Sequence, residues 1–207
     1  VKNYGGKVLL YGDTFDEAFD YATSLAKKDG FTFIHPYDDL DVIVGQGTVG
    51  KEIFEEIGSS IDAVFVPVGG GGLLAGLGTY LKSVSPNTKI IGVEPEDAAC
   101  LKLALENNKR LALKEVGLFA DGVAVKQIGK KTFSLIKDWI DDVVTVSVDE
   151  MCASVQDTFQ ETRIMSEPAG ALALAGLKKY VQSRGIKNKK LVAINSGANL
   201  NFDRLGH

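Results

Sequence analysis

Two kinds of hydrophobic pattern alternate along the chain. Short, continuous apolar runs are typical of strands that are buried on both faces of a parallel sheet. The run that ends at Val68 is the clearest example, because every residue from Ala63 onward is apolar. Strands are predicted on this basis at residues 7–11, 31–34, 62–68, 89–94, 143–148 and 191–194.

Between these runs, apolar residues recur every three or four positions, as they do on one face of an amphipathic helix. Thr14 and Glu17 have the spacing of a capping box at the start of the first helix, and Gly30 ends it. Asp149 is expected to cap the sixth helix, and Pro168 suits the first turn of the seventh. The other helices are predicted at about residues 49–57, with 45–48 leading into it, and at 73–84, 97–107 and 130–140.

Strands that alternate with helices at this spacing predict an α/β fold, in which a mostly parallel sheet carries helices on both faces. Ligands of such folds bind beyond the carboxyl ends of the strands. Residues 69–72 and 196–199 both follow a predicted strand directly, so they could line the same crevice. Residues 35–39 break the pattern and are a plausible hinge between two lobes.

Four consecutive glycines, at residues 69–72, join the strand at 62–68 to the next helix. A helix N-terminus offers unpaired N–H groups and the positive end of a dipole, and glycines let a phosphate approach the backbone. A tight turn without a ligand is the alternative. The motif is not a P-loop, because no Gly-Lys-Ser/Thr closes it. We therefore expect a phosphate-bearing ligand at this loop.

Composition restricts the function further. A net charge of −4 over 207 residues gives no basic face for nucleic acid, and no apolar run reaches the roughly 20 residues of a membrane helix. Cys100 and Cys152 lack metal-type spacing and are expected in or near the core. With only His35 and His207 available, a histidine triad or zinc site has little support. These absences favour chemistry that a bound cofactor carries.

A dinucleotide-binding module is an alternative from the residues alone. Gly70, Gly72 and Ala75 fit the glycine spacing of that motif, and Glu94 ends the next strand where a ribose-binding acid belongs. However, the glycine loop normally follows the first strand of its domain. At least one strand and two helices precede it in this sequence.

Six motifs occur in order along the chain: residues 33–39 (FIHPYDD), 45–48 (GQGT), 66–73 (VPVGGGGL), 92–94 (GVE), 167–171 (EPAGA) and 196–199 (SGAN). Their order and spacing resemble those of the biosynthetic threonine ammonia-lyases (threonine deaminases), which are pyridoxal-phosphate enzymes of the tryptophan-synthase β type (fold type II). The resemblance covers essentially the whole chain, and residues 117–125 resemble the biosynthetic more than the catabolic branch.

The resemblance implies pyridoxal 5′-phosphate as the cofactor, with its phosphate held by Gly69, Gly70, Gly71, Gly72 and Leu73. Ser196 would form a hydrogen bond with the ring nitrogen, or it could cap a helix. The implied reaction converts threonine to 2-oxobutanoate and ammonia on the way to isoleucine. A related serine/threonine dehydratase or a racemase of the same fold is the alternative to this activity.

The resemblance also implies parts that the sequence does not contain. The Schiff-base lysine and the loop that grips the substrate carboxylate would lie before Val1, so we expect no catalytic residue in this chain. The regulatory domain would follow His207. Residues 1–35 would be the remnant of a smaller catalytic lobe and residues 36–207 the large cofactor-binding lobe. We expect such a fragment to be inactive alone.

Relatives imply further properties of the complete protein. Some of them bind a cation near the position of Glu94, but Cys100 stands here where they have an aspartate, so we predict no metal site. The expected partners are a small amino-acid substrate and further copies of the protein in a dimer or tetramer. Neither a nucleic acid nor a membrane is expected as a partner. The expected compartment is the cytoplasm, with a plastid as the alternative.

Overall fold

The computed structural model describes residues 1–199. The chain divides into two compact units, Val1–His35 and a second unit that starts at Pro36. No helix in the described residues is both long enough and apolar enough to cross a membrane.

The first unit contains one α-helix, α1 (Phe15–Asp29), after a 3-10 turn at Lys2–Tyr4. Both ends of α1 form as predicted, because Thr14 and Glu17 make a reciprocal capping box and Gly30 adopts the left-handed conformation. The strands predicted at 7–11 and 31–34 are wrong, since neither segment pairs within this unit. A strand needs a neighbouring backbone to satisfy its N–H and C=O groups, and hydrophobicity alone does not supply one.

The second unit is built on a four-stranded sheet in the order β3-β2-β1-β4, and every described pair of strands is parallel. The strands are β1 (Ala63–Pro67), β2 (Lys89–Pro95), β3 (Asp142–Val146) and β4 (Leu191–Ala193). All four predicted strands of this unit are therefore confirmed, with small differences at their ends.

Six α-helices connect and cover these strands. They are α2 (Leu40–Ile57), α3 (Gly72–Val84), α4 (Cys100–Glu106), α5 (Lys130–Ile136), α6 (Val148–Thr162) and α7 (Pro168–Arg184). Short 3-10 turns occur at Gly58–Ser60, Glu96–Ala98 and Asp121–Val123. Pro168 occupies the first turn of α7, as predicted. The cap of α6 is Ser147 rather than Asp149, because the Ser147 side chain accepts the N–H of Glu150 and completes a capping box.

Side chains that alternate along β1 fill two separate cores, one on each face of the sheet. Val64 and Val66 belong to the core that also contains Leu77 of α3, whereas Phe65 packs with Leu172 of α7 in the other. All five of these side chains are fully buried. The prediction of a parallel sheet with helices on both faces is confirmed.

Helix α2 begins earlier than its pattern suggests, because Asp39 caps it by accepting the N–H groups of Asp41 and Val42. Residues 45–48 are consequently part of the helix and not a segment that precedes it. Gly76 of α3 lets the two helices approach closely at this point: a Cβ on Gly76 would overlap the Ile43 carbonyl oxygen and lie 2.7 Å from the Gly47 nitrogen. Gly45 and Gly47 therefore do not break α2, and Gly76 is the glycine that the close helix crossing requires.

Both cysteines were expected in or near the core. Cys100 is buried, but the expectation for Cys152 is wrong. Its side chain is exposed on α6, and Met151 is the residue of that turn that enters the core. Adjacent residues of a helix face different directions, so a shift of one position in the predicted stripe moves a side chain from core to surface.

Candidate functional site

The two loops that the sequence places after strands leave the sheet from the same edge. Strands β1 and β4 are parallel neighbours, with Phe65 opposite Ala193, and the Ile194 N–H donates to the Phe65 carbonyl at 3.1 Å. The glycine loop follows β1 and residues 194–199 follow β4. Their carboxyl ends meet at one edge, as the predicted shared crevice requires.

The glycine loop ends in the first turn of α3. Gly71 is the N-cap of that helix, with φ +90° and ψ 3°, and no side chain caps the helix. No acceptor within residues 1–199 makes a hydrogen bond with the backbone N–H groups of residues 69–74. Gly70, Gly71 and Gly72 are buried. A row of such N–H groups at a helix N-terminus is suited to binding an anion.

The backbone of this loop is enclosed so closely that side chains would not fit. A Cβ on Gly70 would overlap the ring of Tyr37, and one on Gly71 would lie 2.7 Å from Cδ1 of Ile128. A Cβ on Gly69 would lie 3.0 Å from the Cα of Val123. Space therefore favours glycine at these three positions, and at Gly71 the positive φ favours it as well.

Thr132 and Gly129, at the start of α5, both form hydrogen bonds with the glycine loop. The Thr132 hydroxyl donates to the Gly70 carbonyl oxygen at 2.8 Å, and the Gly129 N–H donates to the same oxygen at 3.2 Å. Asp38 fixes this end of α5, because its carboxylate accepts the N–H groups of Lys130, Lys131 and Thr132 at 2.9, 2.7 and 3.2 Å. Asp38 therefore has a structural role, which its place in a polar loop segment of the sequence does not indicate.

Ser196 is exposed, and its hydroxyl makes one long hydrogen bond, 3.4 Å, to the Ala169 carbonyl. In the described residues no helix begins after it, so the alternative role as a helix cap is wrong. Its neighbours are fixed more firmly. The Asn195 amide donates to the buried Ser166 hydroxyl at 2.6 Å, and the Glu167 N–H donates to the Gly197 carbonyl at 3.1 Å.

Glu94 is the last residue but one of β2 and is completely buried. Its two carboxylate oxygens accept the N–H groups of Leu101 and Lys102 at 2.7 and 2.9 Å, which caps α4. Burial raises the pKa of Glu94 to about 7, although these hydrogen bonds oppose the shift. Beside it, Cys100 donates its S–H to the Gly69 carbonyl at 3.4 Å, and burial, with the nearby Glu94 charge, raises the pKa of the thiol.

The stability of the second unit should therefore depend on pH through Glu94. The folded carboxyl keeps its proton up to about pH 7, whereas the unfolded carboxyl loses it near 4.5. Between these values the folded state binds more protons, so its free energy of unfolding decreases as pH rises, by about 3 kcal/mol in total. Urea unfolding at pH 4.5 and about pH 7.5 measures this change.

The matched variant is Glu94→Gln, which cannot ionise at this position. We expect its free energy of unfolding to fall about 3 kcal/mol less than that of the unmodified protein over the same pH range. Parallel pH profiles of the two proteins would contradict the assignment of this titration to Glu94.

A sequence profile described as "Pyridoxal-phosphate dependent enzyme" matches residues 1–197, nearly the whole chain. The chain belongs to the pyridoxal-phosphate-dependent enzyme family.

Relatives within the family agree with the fold and with the motifs. Biosynthetic chloroplastic threonine dehydratase 1 of Solanum lycopersicum is 56% identical over 205 residues, which are 99% of this chain and 34% of that protein. The structure of a processed threonine deaminase isoform 2 from the same species matches with a TM-score of 0.95 and 48% identity over 99% of this chain and 56% of that chain. A serine racemase from Dictyostelium discoideum matches less well, with 32% identity and a TM-score of 0.83 over 97% of this chain and 64% of that chain.

These matches confirm the predicted similarity to biosynthetic threonine ammonia-lyases and the predicted fold type. The chain spans about a third of the length of the first of these relatives and just over half of the tomato structure. The glycine loop fits the family's cofactor, because its unpartnered N–H groups and its lack of room for side chains suit a phosphate monoester.

The dinucleotide-binding alternative is contradicted by family membership and by Glu94. The carboxylate that would bind a ribose hydroxyl is buried and already accepts two backbone N–H groups. Of the two histidines, His35 packs against Phe19 and Phe33 in the first unit, and His207 lies outside the described residues. The absence of a metal site stays a prediction.

Sequence reasoning missed the residues that support the two loops. Asp38 lies in one of the recognised motifs but stands out there only as a charge, and Thr132 carries no signal that the sequence alone could give. Ser166 and Asn195 directly precede two of the recognised motifs, so their positions hint at a supporting role. Thr132 lies more than 60 residues from the carbonyl it bonds, and no pattern along the chain connects the two.

Proposed function

We propose that this chain supplies the cofactor-holding part of a biosynthetic threonine dehydratase, which converts threonine to 2-oxobutanoate and ammonia for isoleucine synthesis. The observation that carries the proposal is the row of unpartnered backbone N–H groups at residues 69–74, at the same sheet edge as Ser196. The 56% identity to a biosynthetic threonine dehydratase supports the substrate and the direction of the pathway.

In this proposal the backbone N–H groups of Gly69, Gly70, Gly71, Gly72 and Leu73 bind the phosphate of pyridoxal 5′-phosphate. When bound, the cofactor withdraws electrons from the substrate's α-carbon and so makes that carbon acidic. The Ser196 hydroxyl orients the ring by hydrogen bonding to its nitrogen. A neutral hydroxyl leaves that nitrogen uncharged, whereas a carboxylate here would hold a proton on it. This arrangement favours loss of the substrate's β-hydroxyl over a long-lived carbanion.

The arrangement of the whole protein is also a proposal. Residues 1–35 would belong to a smaller catalytic lobe and the residues from Pro36 to the larger one, in agreement with the two compact units. We propose a homo-oligomer, either a dimer or a tetramer. Location in the cytoplasm is proposed, and the chloroplastic name of the tomato relative supports a plastid as the alternative.

The activity test uses the purified protein that contains this chain, supplied with pyridoxal 5′-phosphate. We expect L-threonine to yield stoichiometric 2-oxobutanoate and ammonia, measured by hydrazone formation and by an ammonia assay. Substitution Ser196→Ala should lower kcat/KM about tenfold, since one neutral hydrogen bond to the cofactor is lost. Ser83→Ala is the matched control, because Ser83 is exposed near the other end of α3.

The same incubations separate the alternatives. Chiral chromatography of L-serine reactions detects D-serine, the product expected of a racemase. D-serine without any 2-oxobutanoate from threonine would overturn the dehydratase proposal, and turnover of serine but not threonine would overturn its substrate.

A further inference from the structure

The Gly70 carbonyl oxygen accepts two hydrogen bonds from one segment of the chain. The Thr132 hydroxyl donates to it at 2.8 Å and the Gly129 N–H at 3.2 Å. Thr132 is completely buried, and Gly70 and Gly129 are buried as well. Water cannot readily replace these donors, so they fix the direction in which this carbonyl points.

The direction of the carbonyl also sets the direction of the next N–H. In a planar trans peptide the C=O of one residue and the N–H of the next point in opposite directions. The Gly70 carbonyl and the Gly71 N–H belong to one peptide unit, so the bonds from Thr132 and Gly129 orient the Gly71 N–H away from α5. That N–H is one of the group at residues 69–74 that has no acceptor among the described residues.

Without these bonds, a peptide unit between two glycines would rotate easily. Glycine populates positive and negative φ about equally, and Gly71 already has φ +90°. A rotation of this unit would turn the carbonyl oxygen toward the bound anion and the N–H away from it. Such a rotation replaces an attractive dipole with a repulsive one at the phosphate.

We propose that Thr132 is a positioning residue that aims the Gly71 N–H at the cofactor phosphate. The proposal rests on the proposed function, because it assumes that the glycine loop binds this phosphate. Asp38 contributes by holding the start of α5, where its carboxylate accepts the N–H groups of Lys130, Lys131 and Thr132 itself. Thr132 thus acts through the peptide unit and does not touch the ligand.

The test compares pyridoxal 5′-phosphate with pyridoxal, which lacks the phosphate, by equilibrium dialysis of the cofactor-free protein that contains this chain. Thr132→Val keeps the shape and removes the donor, and Thr132→Ser keeps the donor. We expect Thr132→Val to bind pyridoxal 5′-phosphate about tenfold more weakly and pyridoxal equally well, with Thr132→Ser close to the unmodified protein. Inorganic phosphate should compete about tenfold less effectively with Thr132→Val.

Thr158→Val is the matched control, because Thr158 is also a buried helical threonine whose hydroxyl donates to a carbonyl, that of Ser154, at 2.8 Å. It should bind both compounds normally. If Thr132→Val does not fold, as judged by circular dichroism, Thr132→Cys takes its place. A thiol is a poorer donor, and we expect an intermediate, about threefold, loss for the phosphate compound alone.

The outcomes distinguish a failure of the proposed phosphate site from a failure of the proposed role of Thr132. If the unmodified protein does not prefer pyridoxal 5′-phosphate to pyridoxal, the phosphate role of the glycine loop is wrong. If it has that preference and the Thr132 variants retain it, the inference about Thr132 is wrong. Equal weakening for both compounds would also overturn it, since that result indicates general loosening of the fold.

Discussion

A Gly71→Ala variant will bind pyridoxal 5′-phosphate about a hundredfold more weakly than the unmodified protein. Two costs add at this position. Alanine at φ +90° is strained, and its Cβ would lie 2.7 Å from Ile128 Cδ1 and 3.1 Å from the Cβ of Thr132. The chain can relieve both only by rotating the turn that presents the unpartnered N–H groups, at a cost of about 3 kcal/mol in binding.

Equilibrium dialysis or fluorescence titration with the cofactor measures this loss. Gly185→Ala is the matched control, because Gly185 also has positive φ, +59°, at the end of α7, but no described atom lies within 4 Å of a Cβ added there. That control should lose about 1 kcal/mol of stability and no affinity. Normal cofactor binding by Gly71→Ala would contradict the role of the glycine loop as the phosphate site.

A Gly76→Ala variant will be destabilised by about 3 kcal/mol through one added methyl group. The new Cβ would meet three atoms of the α2 backbone: the Ile43 carbonyl oxygen, the Gly47 nitrogen and the Gln46 carbonyl carbon. Backbone atoms of a helix cannot move aside as a flexible side chain can, so the two helices must separate. Urea unfolding followed by circular dichroism measures the change.

Gly45→Ala is the control, and we expect it to change the stability in the opposite direction. Gly45 lies in the same close pair of helices, but it is exposed and no described atom lies within 4 Å of an added Cβ. Alanine there should stabilise α2 by about 0.5–1 kcal/mol, because it restricts the unfolded chain and favours helix. Destabilisation of the same size by both variants would show that the crossing does not depend on Gly76.

Features whose signals lie close together in the sequence were predictable. The capping box of Thr14 and Glu17 and the proline at the start of α7 each depend on a few neighbouring residues, and both form as expected. Strands β1 and β2 were predictable for a related reason, because burial on both faces leaves a largely apolar run in the sequence.

Features that depend on a distant partner were not predictable. Residues 7–11 and 31–34 have the composition of strands, but no neighbouring strand pairs with them in their unit. Residues 45–48 look like a segment that precedes α2, but the cap at Asp39 places them inside the helix. Likewise, the position of Glu94 at a strand end was evident, but its burial beneath the start of α4 depends on how the later chain folds back.

The residues of the candidate site also fall into a group that the sequence predicts and a group that it does not. The glycine loop was recognisable because it joins a strand to a helix, and Ser196 because its motif resembles one of the biosynthetic threonine ammonia-lyases. The Thr132 bond to Gly70 and the Asn195 bond to Ser166 were not, because each joins segments that are far apart along the chain. Sequence therefore identified the residues proposed to touch the cofactor, and only the structure identified those that hold them in place.

The pairing of β1 with β4 affects the order in which such a site can assemble. Ala63 lies opposite Leu191, so nearly all of the second unit must be made before this last pair can close. During synthesis the glycine loop leaves the ribosome long before Ser196 does. Closing so long a loop costs entropy before any hydrogen bond is gained, which makes it a late step of folding. The side of the crevice that is proposed to bind the phosphate can thus form before the side that is proposed to bind the ring.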